Sequence, residues 1–277
     1  MNLLHVLILA IVQGAAELLP VSSSAHVILA EKLMGLDPTA PAMTMLLVML
    51  HTGTMFAVIV HFWKSWQRAY FSSRQVFLRT CGYVVLATTL TGGIGLFLQA
   101  IIKHTIMGNA PGFEIENLFG NPRLIASALA AAGILIIFSS RLRQTDQRDI
   151  SWRSAAWIGA VQGLCLPFRG FTRSGATIST GMVLGVARTK AEEFSFALAV
   201  ALTPAVIVRE AYRLYKAEAG HSTQLLASLG PNLLGMVLSF GAGLLALRWL
   251  SSWLEHGRWH LFGAYCLIFA GVVLAVG

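Results

Sequence analysis

Charge is scarce in this sequence: Asp, Glu, Lys and Arg make up 12% of 277 residues, against 56% apolar residues. That balance excludes an ordinary soluble domain, and the short, charge-poor connections leave no room for a separate one. Cysteine is scarce too. Cys81, Cys165 and Cys266 stand far apart in apolar surroundings, without a CxxC pair or Cys/His metal spacing, so they read as inert buried thiols. Basic residues are missing from the N-terminus, where the first Lys or Arg is Lys32. The apolar stretch 1–12 therefore lacks the n-region of a signal peptide, and it lacks a convincing cleavage site; it reads as part of the mature fold. Acidic residues number 12 against 20 basic ones, a formal charge of +8. The basic excess sits in short loops between apolar runs, which fits membrane orientation and anionic lipid rather than nucleic acid.

What is present is a succession of apolar runs of about 20 residues, the length that crosses a bilayer as a helix. The fold class is therefore an all-α, polytopic integral membrane protein. Full spans are expected at about 43–63, 81–102, 123–140, 194–214, 225–250 and 259–276. Two further stretches are broken. Residues 3–30 are interrupted by Gln13, Glu17, Pro20, Ser22, Ser23, Ser24 and His26. Proline cannot continue an undisturbed helix and serine favours a helix start, so this stretch reads as a helix to about Leu18, a break, and a second helix from about Ser23 to Leu33. The stretch 154–187 is interrupted in the same way from Pro167 to Ser174. Such re-entrant hairpins are tolerated in a bilayer only where the broken backbone lines a cavity.

The two broken stretches resemble each other. Val12-Gln13-Gly14 matches Val161-Gln162-Gly163, Leu19-Pro20 matches Leu166-Pro167, and the second limbs end near Gly35 and Gly185. The chain thus reads as one membrane domain, 1–277, built of two repeats at about 1–150 and 151–277. Each repeat is a hairpin plus three spans. An odd number of crossings inverts the second repeat, so the hairpins enter from opposite faces and meet near the midplane. Loop charges set the orientation. Twelve of the 20 basic residues lie on one side, including Lys64, Arg68, Arg141 and Arg188, and six on the other, Lys32, Lys103, Arg123, Arg209, Arg213 and Lys216. The richer side is expected in the cytoplasm, which turns the first hairpin and both termini outward.

The chemistry concentrates in the hairpins. Gln13 and Glu17, four apart, share a helix face. They suit a hard divalent cation, Mg²⁺ or Ca²⁺, or else a hydrogen-bonded pair packed on a neighbouring helix. Ser23 and His26 lie three apart and suit a hydroxyl with a proton-transfer partner, or else a helix cap and a buried histidine. In the second hairpin, Gly170 and Gly175 let the backbone turn. Thr172, Arg173, Ser174 and Thr177 then place hydroxyls and a charge at a helix start, as an anion site requires, or else form a polar loop outside the bilayer. Together the stretches suit a diphosphate, whether it is cleaved or only bound.

At this point the motifs become specific. Gln13-Gly-Ala-Ala-Glu17-Leu-Leu-Pro-Val-Ser-Ser-Ser-Ala-His26 resembles the first signature of the bacterial undecaprenyl-diphosphatase (UppP, or BacA) family, and Gly170-Phe-Thr-Arg-Ser-Gly-Ala-Thr177 resembles the second. The resemblance implies a phosphatase of the bacterial inner membrane. It would release the terminal phosphate of undecaprenyl diphosphate on the periplasmic side, for recycling of the lipid carrier in peptidoglycan synthesis. It also implies roles. Glu17 and Gln13 hold the metal or polarise the substrate, Ser23 and His26 act as nucleophile and proton-transfer partner, and Arg173 binds the diphosphate. Ser22, Ser24, Gly170, Thr172, Ser174, Gly175 and Thr177 assist binding. The partners implied are the polyprenyl diphosphate, membrane lipids and a second copy of the chain. Three positions depart from the family pattern: Gln13 stands for Glu, Arg169 for Pro and Thr172 for Ser. A different class remains open beside the enzyme, a transporter of undecaprenyl phosphate or a related lipid phosphate, because inverted repeats with broken helices are a transporter architecture.

Overall fold

The structure is a computed structural model that describes residues 2–37, 41–106, 121–142, 148–168, 170–217, 222–255 and 257–276. Among these residues every regular element is helical. In chain order the α-helices are α1 (Leu3–Leu18), α2 (Ser23–Leu33), α3 (Pro41–Tyr70), α4 (Arg74–Ile101, continued by a π-helical turn at Ile102–Ile106), α5 (Pro122–Arg141), α6 (Trp152–Cys165), α7 (Arg173–Val183), α8 (Arg188–Ala217), α9 (Ser222–Glu255) and α10 (Trp259–Val276). Among the described residues, five stretches are long and apolar enough to cross a membrane: Met45–Tyr70, Arg74–His104, Pro122–Arg141, Gly230–Leu250 and Trp259–Val276. The expected run at 194–214 lies in α8, which is not among the five; its first turns carry Arg188, Lys190, Glu192 and Glu193.

The helices form two compact units, each drawn from both halves of the chain. Unit 1 holds Met1–Leu19, Ser23–Trp63 and Ala199–Glu255. Its core gathers Val6, Leu9 and Ala10 of α1, Val27 of α2, and Met43, Leu46 and Leu50 of α3. In the same unit α1 lies along α9 at close range. A Cβ on Gly14 would come within 2.6 Å of the Ala242 Cβ and 2.8 Å of the Ser239 carbonyl, so only glycine permits that approach.

Unit 2 holds Pro20–Ser22, Lys64–Leu198 and His256–Gly277. Its core joins Tyr83 and Ala87 of α4, Ala155 and Ile158 of α6, and Phe194 and Leu198 of α8. Here α6 lies along α4. The Thr91 hydroxyl shares its proton between the Ala87 carbonyl at 2.8 Å and the Gly159 carbonyl at 2.9 Å, and it accepts from Gln162 Nε2 at 3.1 Å. The Thr91 hydroxyl and the Gln162 amide N–H are thus met inside an apolar core, where an unmet polar group costs about 1–3 kcal/mol.

Candidate active site

The first break follows from local chemistry. Pro20 pushes the residue before it out of the helical region, and Leu19 is extended at φ −81, ψ 149. Ser22 then takes a left-handed conformation, φ 67, which is uncommon for a non-glycine residue and turns the chain into α2. The second limb ends at Gly35, φ 68, where Gly35 N–H reaches Lys32 O at 3.0 Å and Leu36 N–H reaches Glu31 O at 2.9 Å. This pair of bonds is a Schellman cap.

In unit 1 the polar residues around this break converge on one oxygen, Glu17 Oε2. Gln13 Nε2 donates to it at 3.1 Å, and the Ser23 hydroxyl donates to it at 2.5 Å. His51 Nε2, from α3, lies 3.4 Å away. The expected pairing of Gln13 with Glu17 is therefore present, and Ser23 joins it from the second limb. Glu17 is mostly buried, with 15% of its side chain exposed. His26 and Ser24 are half-buried on α2, while Ser22 belongs to unit 2.

The second break, in unit 2, has the same logic with different residues. The helix α6 stops at Cys165, ahead of Pro167. Gly170 sits at φ 101 against the Ile125 carbonyl, which any Cβ there would overlap. Arg169 lies outside the described residues. Thr172 caps α7, its hydroxyl accepting from Gly175 N–H at 3.3 Å and lying 3.4 Å from the Ser174 hydroxyl. Arg173 opens the helix, so a helix N-terminus and a guanidinium share one place, the arrangement that attracts phosphate. The Thr177 hydroxyl donates to Arg173 O at 2.8 Å and lies 2.6 Å from the Ser195 hydroxyl of α8. This limb also ends in a Schellman cap: Gly185 N–H reaches Met182 O at 3.0 Å and Val186 N–H reaches Gly181 O at 2.9 Å.

A hard divalent cation fits the first set on one observation. Gln13 is fully buried, and its Oε1 has no hydrogen-bond partner among the described residues. An amide oxygen beside a carboxylate and a hydroxyl is the all-oxygen chemistry that Mg²⁺ or Ca²⁺ takes, with substrate oxygens completing the shell. No cluster of three His, Cys, Asp or Glu exists among the described residues. Gln13 and Glu17 therefore suit a cation shared with a ligand better than one caged by protein.

Comparison with known proteins gives the arrangement its family. The model for "Bacitracin resistance protein BacA" matches residues 6–272, a span that takes in both breaks. The chain belongs to the BacA family. Among its relatives is "Undecaprenyl-diphosphatase 2" of Acinetobacter baylyi, 65% identical over all of this chain and 98% of the relative. An "Undecaprenyl-diphosphatase" of Desulfosudis oleivorans is 34% identical over 98% of this chain and 97% of the relative. "Undecaprenyl-diphosphatase 2" of Burkholderia orbicola is 32% identical over 98% and 95%. The BacA match thus runs end to end.

Sequence reasoning missed two polar neighbours of these sets, His51 and Ser195. For His51 a signal exists. It is the only ionisable residue between 45 and 60, in a run that is otherwise fit to cross a bilayer. Ser195 carries no such signal, being one hydroxyl in a serine-containing helix.

Proposed function

We propose that this chain is an undecaprenyl-diphosphate phosphatase, producing undecaprenyl phosphate and inorganic phosphate on the periplasmic side of the bacterial inner membrane. The observation that carries the reading is the 2.5 Å contact from the Ser23 hydroxyl to Glu17, a nucleophile beside its base. Glu17 takes the Ser23 proton as Ser23 Oγ bonds to the terminal phosphorus. The bond from that phosphorus to the bridging oxygen breaks, and undecaprenyl phosphate leaves. Water then cleaves the phosphoserine to release inorganic phosphate, with His26 as the proton-transfer partner. Ser22, Ser24, Gly170, Thr172, Arg173, Ser174, Gly175 and Thr177 hold the diphosphate. That both motifs serve one substrate rests on the resemblance of the two signatures. A divalent cation held by Gln13 Oε1 and Glu17 would neutralise diphosphate charge when bound.

The two-repeat, inverted architecture belongs to the same reading, with the chain acting as one membrane domain and a second copy admitted as partner. Its support is threefold. Both hairpins have second limbs of 11 residues, α2 and α7. Both limbs end in the same pair of Schellman bonds. The helix pairing is reciprocal: α1 packs on α9 within unit 1 and α6 on α4 within unit 2, the exchange that repeats related by a two-fold axis produce. This last feature also favours the second reading, a carrier of lipid phosphate. A carrier needs charge complementarity but no hydroxyl–carboxylate pair, so the enzyme reading stands first.

The test is phosphate release from undecaprenyl diphosphate by the purified, detergent-solubilised chain, with Glu17→Ala alongside. Release by the wild type alone supports the enzyme. No release from a folded, metal-supplied wild type refutes it and moves the assignment to the carrier.

A further inference from the structure

The geometry points to His51 as a positioning residue for the reaction, one that fixes the Glu17 carboxylate against Ser23; this rests on the phosphatase reading above. His51 Nδ1 lies 2.8 Å from the Leu47 carbonyl oxygen. A carbonyl only accepts, so Nδ1 carries a proton and the ring is tied to its own helix. The other ring nitrogen, Nε2, faces Glu17 Oε2 at 3.4 Å. That is the same oxygen that Gln13 Nε2 and the Ser23 hydroxyl reach. The carboxylate is thus approached from α3 as well as from α1 and α2.

The alternative, a histidine merely satisfied inside a helix bundle, explains the Leu47 contact but not the second. A ring needing only burial has no reason to aim its remaining nitrogen at a carboxylate in an apolar span, where ionisable groups are costly. The helix around it is also braced. Thr54 donates to the His51 carbonyl at 2.9 Å and Thr52 to the Val48 carbonyl at 2.8 Å. Gly53 is packed so closely on the Met236 carbonyl of α9 that a Cβ there would overlap it. The backbone beside the ring is thereby held against α9. Outer partners that orient a working side chain in this way typically contribute about 10–100-fold to activity.

The experiment measures kcat and KM for phosphate release from undecaprenyl diphosphate with wild type, H51L and H51Q, each purified in detergent. Because His51 is argued to touch Glu17 and not substrate, H51L should lower kcat about 10–100-fold and leave KM within about twofold. H51Q offers an amide N–H at similar reach and should recover most of kcat. Should H51L not yield folded protein, His51→Asn replaces it. Its amide is one methylene too short to reach Glu17 and should show the same loss. Wild-type kcat in H51L or His51→Asn, an effect confined to KM, or no recovery in H51Q would each overturn the role of His51 while leaving the phosphatase intact. An inactive, folded wild type would overturn the phosphatase reading and this role with it.

Discussion

Removing the charge from Glu17 while keeping its shape separates chemistry from architecture. In Glu17→Gln the amide oxygen can still accept from Ser23, so what is lost is the charge in the 2.5 Å contact, in the 3.1 Å contact from Gln13 and in the 3.4 Å approach of His51. Charged hydrogen bonds exceed neutral ones by about 1–1.5 kcal/mol each. With 15% of the side chain exposed, water offsets part of that, and the folded state should lose only about 1–2 kcal/mol. Activity should respond far more strongly. A positioned base contributes about 10²–10⁴-fold, which is about 2.7–5.4 kcal/mol of barrier at 1.36 kcal/mol per tenfold. Ser23→Ala should cost a similar factor. If Glu17 acts on the Ser23 proton, the two changes remove one event. The double variant should then fall no further than the worse single one. Phosphate release by all four proteins, with thermal melting in detergent as the control, gives the cycle directly. Losses that multiply to about 10⁴–10⁸ would mean that the two groups act independently. Activity within about threefold of wild type in Glu17→Gln would remove the base from the mechanism altogether.

Three further outcomes are expected. Gly170→Ala must place a Cβ against the Ile125 carbonyl at φ 101, so it should destabilise by more than the roughly 1–3 kcal/mol of backbone strain alone. Gly257→Ala, at φ 71 with nothing within 4 Å of its Cβ, should lose only the strain; equal melting shifts would refute the contact argument. Trp259→Phe removes an indole N–H that donates to Ser139 at 3.2 Å and Ser179 at 3.3 Å. It keeps an aromatic ring beneath the Arg188 guanidinium and should cost about 0.5–1.5 kcal/mol in the same melt, a larger shift implying lost packing. EDTA should suppress phosphate release and added Mg²⁺ or Ca²⁺ should restore it, whereas full activity in metal-free buffer would take the cation out of the reaction.

How much of this could be read from the sequence depends on the range of the interaction. Both helix breaks were legible because proline, glycine and hydroxyl residues act on their nearest neighbours. Pro20 sets the extended Leu19, and Thr172 caps the helix three residues ahead of Gly175. The pairing of Gln13 with Glu17 was legible for the same reason, since four residues is one helical turn. The contact of Ser23 with Glu17 crosses a break only six residues apart, yet nothing in the spacing of the two fixes it. It needs the left-handed turn at Ser22, a conformation that serine's own preferences do not announce. His51 lies beyond local reasoning altogether. Hydropathy averages over a window, and one histidine among Leu50, Met55, Phe56 and Ala57 barely lowers the mean. Read as a single residue it carries a sharper message, because an ionisable side chain in an apolar span must have a partner. The carboxylate that His51 meets in unit 1 is that of Glu17, which on its own would be equally costly there. Each of the two groups is unfavourable in isolation and acceptable beside the other, so a carboxylate on α1 and a histidine on α3 constrain each other's place in the unit before any substrate arrives.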